Sequence, residues 1–238
     1  MKHISTIILT VLFSLSIASQ MKPPRDLTIS KEDALKIAVF SDLQVDSDGS
    51  NFAYTMQLIQ NVIDSENNKN GETTVDLVVL MGNTVEPEHE DEYQARFEEA
   101  VTYLKLKGIP WVSTGGQARK INRKDLVKAD QKVGSETLNG ENFTLSLTGA
   151  YNPSSSSENL LGPYTQRIPV YYKDQVESVF NLWILDSQGG YDCQGNFKGK
   201  SCFSKESVEW FKAEIKNSTN QNEAKDIIFT TIPLPEYI

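Results

Sequence analysis

Histidine is nearly missing from this chain. Two occur in 238 residues: His3 in the apolar N-terminus and His89 in the acidic stretch EPEHEDE. That scarcity excludes a site needing several imidazoles at once, and it leaves Ser41 and Ser113 without an evident base to activate either as a nucleophile. Cysteine is as sparse, with only Cys193 and Cys202, enough for one bridge. Basic residues are short too, at 23 Lys and Arg against 32 Asp and Glu, a net charge of −9. An acidic chain repels polyanions, which argues against nucleic acid and anionic membrane surfaces as partners. Beyond the N-terminus no segment reaches the roughly 20 apolar residues of a spanning helix. Internal repeats and domain linkers are also absent from the sequence.

What is present begins with MKHISTIILTVLFSLSIAS. A basic start at Lys2, an apolar core from Ile4 to Ile17 and small residues at Ser16, Ala18 and Ser19 form the pattern of a secretory signal peptide. The expected organisation is a signal over residues 1–19, a lead-in over 20–34 and one domain over 35–238. The mature protein is then secreted or lumenal, with no membrane span once the signal is cleaved; an uncleaved anchor is the alternative. In that compartment Cys193 and Cys202, the ends of CQGNFKGKSC, are expected to bridge, with two free thiols as the alternative. Asn142 (NFT) and Asn217 (NST) become glycosylation acceptors if exposed.

Lys36 to Phe40 is a short apolar run, consistent with a buried strand. Phe52, Met56, Ile59 and Ile63 fall at helical spacing, as do Tyr93, Phe97, Val101 and Leu104, with Gly108 placed to end the second helix. Val75 to Met81 and Ile109 to Ser113 read as strands between and after these helices. Strand, helix, strand, helix, strand with short connections predicts a parallel sheet covered by helices. Arg167 to Tyr172, Val179 to Leu185 and Asp226 to Thr231 are further strands. Ser204 can cap a helix whose Val208, Phe211 and Ile215 face the core. Trp111, Phe180, Trp183 and Trp210 read as core.

In open α/β sheets, sites form beyond the carboxyl ends of the strands. Asp42 and Gln44, Asn83, and Gly116 and Gln117 all fall at such ends. Asp46, Ser47, Asp48 and Gly49 lack the spacing and closing glutamate of a calcium loop, so they read as a turn. EPEHEDE reads as a solvated acidic loop.

The segments KIAVFSDLQ, DLVVLMGNTV, IPWVSTGGQARKINRKDLV, WILDSQGGYDC, SVEWFKAEI and FTTIPLPEY occur in this order. Together they resemble the calcineurin-like metallophosphoesterases, in the branch similar to purple acid phosphatases, although Ser207 stands where that family has glutamine. The resemblance covers most of the chain from Leu35 onward. It implies an α/β fold, a sandwich of mixed β-sheets flanked by helices. It also implies a hydrolase site in which two ions such as Fe, Zn or Mn supply a hydroxide that attacks a phosphate ester.

Carried over residue by residue, the resemblance leaves that site depleted. Asp42 matches the family's first aspartate. Gln44 stands at a histidine, Asn83 at the bridging aspartate, Gly116 at a ligating asparagine, Gln117 at the histidine assisting the leaving group, Ala118 at an acid, and Thr231 at a further metal-binding histidine. The family's final Gly-His-x-His turn would lie beyond residue 238, so the domain is expected to be incomplete at its C-terminus.

The expectation is a secreted pseudo-phosphatase, without catalysis or a bound cofactor, whose role is binding an unknown protein or a small phosphorylated ligand. Two alternatives stand beside it: a phosphoric ester hydrolase with an altered metal site, and a truncated product without function. Asp42, Gln44, Asn83 and Gln117 would form an oxygen-rich set suited weakly to Mg²⁺ or Ca²⁺. Gly115 and Gly116 with Arg119, Lys120, Arg123 and Lys124 would suit a phosphate, though the basic run also fits the solvated face of a helix.

The cysteines generate the first prediction. The secreted protein should carry a Cys193–Cys202 bridge contributing about 2 to 3 kcal/mol or less, because the closed loop is short. Mass spectrometry after alkylation without reductant should find no modified thiol; two modified thiols would refute the bridge.

Overall fold

The structure is a computed structural model describing residues 26–29, 34–45, 52–68, 70–85, 93–116, 122–138, 141–153, 161–173, 175–187, 203–219 and 224–231. The expected signal segment, the expected turn at Asp46, His89, the segment from Gln117 to Lys120, and both cysteines, with the bridge expected between them, lie outside the described residues.

Strands β2 (Ile37–Ser41), β3 (Leu77–Met81) and β4 (Trp111–Ser113) form a parallel sheet in the order β2-β3-β4. Helices α1 (Phe52–Ser65) and α2 (Tyr93–Lys107) supply the crossovers. Burial on both faces explains the unbroken apolar run of β3, where Leu77, Val78, Val79 and Leu80 are all buried. Val78 and Leu80 pack with Ile59 and Ile63 of α1 and with Phe97, Val101 and Leu104 of α2. Gly108, at φ 66°, ends α2 as expected, its N–H bonding Lys105 O at 3.0 Å. After β4 comes α3 (Arg123–Gly134), whose N-cap Asn122 accepts from the Lys124 N–H at 3.0 Å.

Leu77 and Val79 point the other way, into a second sheet. Its strands are β1 (Leu27–Ile29), β7 (Gln166–Tyr172), β8 (Ser178–Leu185) and β9 (Lys225–Thr230), in the order β1-β7-β8-β9. This sheet is mixed: β7 and β8 are antiparallel, whereas β1 runs parallel to β7 and β9 to β8. Leu77, Val79 and Val112 of the first sheet share one apolar cluster with Ile168, Val170, Leu182, Ile184 and Phe229 of the second. On the far face of β8, Trp183 packs edge-on against Trp210 and Phe211 of α4 (Lys205–Thr219), at 5.7 and 5.1 Å between ring centroids. The mixed α/β fold is therefore layered as helices, sheet, sheet, helix. Ser204 caps α4 as expected, accepting from the Ser207 N–H at 3.0 Å.

Two pieces had no signal in the sequence. The lead-in contributes β1, only three residues long, whose partner Val170 is remote in sequence from Leu27. A short antiparallel hairpin, β5 (Ser135–Leu138) and β6 (Glu141–Thr144), follows α3 directly. Its residues SETL and ENFT are too polar to alternate visibly.

One carboxylate ties α3 to the first sheet. Asp130 has no exposed surface and accepts four hydrogen bonds: from Trp111 Nε1 at 2.8 Å, and from Ser113 Oγ, Ser146 Oγ and Thr148 Oγ1, each at 2.7 Å. Asp130→Ala should therefore lower stability by about 3 to 5 kcal/mol in urea unfolding, because four buried donors lose their partner. Burial pushes the Asp130 carboxyl up, with the four donors opposing. The folded state then binds this proton more tightly than the unfolded chain, whose carboxyl titrates near pH ~3.9. The resulting stabilisation is present below that pH and lost as pH rises. The stability advantage of wild type over Asp130→Asn should accordingly shrink as pH rises above about 4; an advantage that grows would overturn this reading.

Candidate functional site

β2, β3, β4 and β9 send their carboxyl ends to one rim. β2 runs into Asp42 and Gln44, β3 into Gly82 and Asn83, β4 into Thr114, Gly115 and Gly116, and β9 into Thr231. Contacts between them are direct. A Cβ added to Gly82 would stand 2.6 Å from Cα of Gly116 and 2.7 Å from Cγ2 of Thr231, so glycine alone permits this approach. Asn83 Nδ2 donates to Asp42 Oδ1 at 2.9 Å. Gln44 N donates to Asn83 O at 2.8 Å, and Val45 N to Thr84 O at 2.9 Å. Thr231 Oγ1 lies 2.8 Å from Ser187 Oγ, just past the end of β8.

Backbone strain collects at the same place. Among the described residues, the non-glycine positions with positive φ are Asp42 at 57°, Gln44 at 46° and Asn83 at 46°. Asp and Asn tolerate this conformation, whereas glutamine has no local hydrogen bond to ease it and costs about 1 to 2 kcal/mol there. Such strain persists only where surrounding structure imposes it, and it gathers at functional rims. Here the Gln44–Asn83 and Val45–Thr84 hydrogen bonds impose it.

Behind the rim, Arg123 organises the glycine turn. Its guanidinium pairs with Asp186, which follows β8 and has no exposed side-chain surface; the arginine itself is 13% exposed. Nε donates to Asp186 Oδ2 at 3.4 Å and Nη1 to Gly116 O at 3.0 Å. Its carbon lies 5.1 Å over the Tyr164 ring. Burial pushes the Tyr164 hydroxyl well up, which keeps it neutral at physiological pH.

Five of the seven expected positions thus come together: Asp42, Gln44, Asn83, Gly116 and Thr231. Gln117 and Ala118 lie outside the described residues. Arg123 corrects the expected basic face: it is engaged by Asp186 and the Gly116 carbonyl instead of facing solvent or an anion. Ser41 Oγ donates to Met81 O at 3.4 Å and Ser113 Oγ to Asp130, so both hydroxyls hold structure. Asn217 is exposed on α4; the backbone of Asn142 is in β6, and its side chain is not described.

Sequence reasoning missed Arg123 with Asp186, Ser187 and Asp130. Asp186 and Ser187 carried a usable signal, since they follow a buried strand in WILDS. Asp130 carried a weaker one, as a carboxylate on the apolar face of DLVKADQKV.

The crowding at Gly116 generates a prediction. Its φ is 52°, and a Cβ there would meet Asn83 Oδ1 at 2.5 Å and press on the Asn83 backbone nitrogen. Gly116→Asn, which would put back a side chain that the resemblance implies, should cost at least about 2 kcal/mol and lower the melting temperature by several degrees. A melting temperature unchanged from wild type would show that the rim is less tightly packed than these contacts require.

No family model, curated protein or solved structure matches this chain in comparisons against all three.

Proposed function

We propose that this chain is a secreted metallophosphoesterase-like protein, of the purple-acid-phosphatase-like branch, which has lost the hydrolysis and acts by binding. Two facing sheets with helices outside them support the fold, as does the meeting of Asp42, Gln44, Asn83, Gly116 and Thr231 at one rim. The observation that carries the loss of chemistry is the 2.9 Å hydrogen bond from Asn83 Nδ2 to Asp42 Oδ1. At the position implied for a carboxylate shared by two cations, an amide N–H points at the one remaining acid.

The residues present do not fit a pair of metal ions. Two cations at roughly 3.5 to 4 Å require a bridging anion and enough charge to acidify water. The rim offers the Asp42 carboxylate, the amide oxygens of Gln44 and Asn83, and the hydroxyls of Ser187 and Thr231, which bond to each other. Among the described residues no three of His, Cys, Asp or Glu form a metal-holding group. Of the two ligand classes, a protein or a small phosphorylated molecule, the first is favoured, because Arg123 already answers Asp186.

Elemental analysis of the purified protein should find no stoichiometric Fe, Zn or Mn, and release of product from an aryl phosphate should match a blank. Near two metals per chain, together with turnover of roughly 1 s⁻¹ or above, would overturn the proposal. That result would favour a phosphoric ester hydrolase with an altered metal site.

A further inference from the structure

The turn between α1 and β3 is built around one asparagine. Asn68 Oδ1 accepts from the Asn70 and Glu72 N–H groups at 2.8 and 3.1 Å, and Asn68 Nδ2 donates to Glu72 Oε2 at 3.0 Å. Main-chain bonds close across the same residue: Asn68 N donates to Glu72 O at 2.7 Å, and Gly71 N to Asn68 O at 3.0 Å. Asparagine suits this task because its side chain can bond the backbone two residues on. Asn67 is engaged as well, donating from Nδ2 to Asp64 Oδ1 at 3.0 Å.

Asn70, at the tip, is different. It is exposed, and its carboxamide makes no hydrogen bond among the described residues. Its successor, Gly71, is also exposed, sits at φ 79°, and has no atom within 4 Å of where a Cβ would stand. The turn requires that left-handed conformation, which glycine adopts without strain. A side chain there would screen the Gly71 nitrogen. Glycine leaves it open to the Asn70 carboxamide carbon.

We infer that Asn70–Gly71 is a self-modifying site, at which the folded chain converts this asparagine to aspartate and isoaspartate. The Gly71 nitrogen loses its proton to hydroxide and attacks Asn70 Cγ. The new bond closes a five-membered succinimide, the Cγ–Nδ2 bond breaks, and the side-chain nitrogen leaves as ammonia. Water then opens the ring. Addition at Cγ releases the Gly71 nitrogen from the side chain and gives aspartate. Addition at the main-chain carbonyl carbon leaves the peptide running through Cγ and gives isoaspartate. One water enters and one ammonia departs, with no oxidant or cofactor. Before the attack, the Asn70 and Gly71 N–H groups must release Asn68. Exposed turns open locally at little cost, and two such hydrogen bonds at about tenfold each slow the reaction by about a hundredfold at most. Either product adds a carboxylate beside Glu72, one unit of charge beyond the chain's −9. Isoaspartate also lengthens the main chain by one carbon, so the two bonds to Asn68 cannot both survive.

Peptide mapping by mass spectrometry tests this on the purified full chain held at mildly alkaline pH. A urea-unfolded sample runs in parallel until half of its Asn70 has converted. Cleavage after Glu66 and Glu72 isolates the peptide NNKNGE, in which Asn67 and Asn68 serve as internal controls. The folded chain should convert Asn70 at a rate within about a hundredfold of the unfolded one. Enzymatic methylation of the freed α-carboxyl should detect isoaspartate there, while Asn67 and Asn68 stay unchanged. Asn70→Gln, whose ring would be six-membered, should show no conversion at this position over the same time. Folding that slows Asn70 by more than about a hundredfold overturns the inference, because the turn then protects the site. So does conversion of Asn67 or Asn68 in the folded chain as fast as that of Asn70.

Discussion

Arg123 and Asp186 join two layers of the protein that the chain itself does not connect directly. Asp186 closes β8 in the four-stranded sheet, and Arg123 opens α3 beyond β4 of the three-stranded one. Removing both charges from water costs several kcal/mol per ion, which attraction offsets only when the geometry is good and the remaining donors are satisfied. Here they are satisfied: the guanidinium reaches both carboxylate oxygens, the Gly115 and Gly116 carbonyls and the face of Tyr164. A planar fork of five donors suits that task, and a lysine could not cover it. The glycine turn is therefore drawn back toward Asp186. Gly116 then lies against Asn83, and Asn83 reaches Asp42.

Asp130 shows the other way to bury a carboxylate. It has four neutral donors and no cation among them, so desolvation raises its proton affinity. The two acids sit close in the fold, one fastening α3 to β4, the other fastening the turn before α3 to β8. Much of the polar chemistry beneath the strand ends is engaged in this fastening, including Ser113, which a sequence reader would consider as a nucleophile. What remains open at the rim is Asp42 and Gln44, both exposed and both in the left-handed conformation. Among the described residues the rim keeps a strained, convergent geometry with Asp42 as the one carboxylate that it positions.

The helices divide by surface chemistry in a related way. α2, α3 and α4 carry ion pairs one turn apart, such as Arg96 with Glu99, Lys128 with Asp125 and Lys205 with Glu209. Exposed pairs of this kind add little stability, about 0 to 1 kcal/mol, but they keep a helix face wet. α1 has none. Its amides and apolar stripe leave a face that water covers less favourably.

Much of the layered core was legible in the sequence because it depends on local period. Ile59 and Ile63, Phe97, Val101 and Leu104, and the unbroken run of β3 announce helix, helix and buried strand wherever they are placed. The carboxyl ends of those strands, and hence Asp42, Gln44, Asn83 and Gly116, followed from the parallel order alone. β1 was not legible, since three residues hold no period and its partner is remote; nor was the β5–β6 hairpin, whose side chains do not alternate. Local pattern determined which residues sit at strand ends and which chemical groups they lack. Only the tertiary structure decided that Thr231 comes from the second sheet to meet Gly82, that Asn83 turns its amide toward Asp42, and that Arg123 faces inward to Asp186. Those are contacts between segments far apart in the chain, set by how two sheets pack, and no local period encodes them.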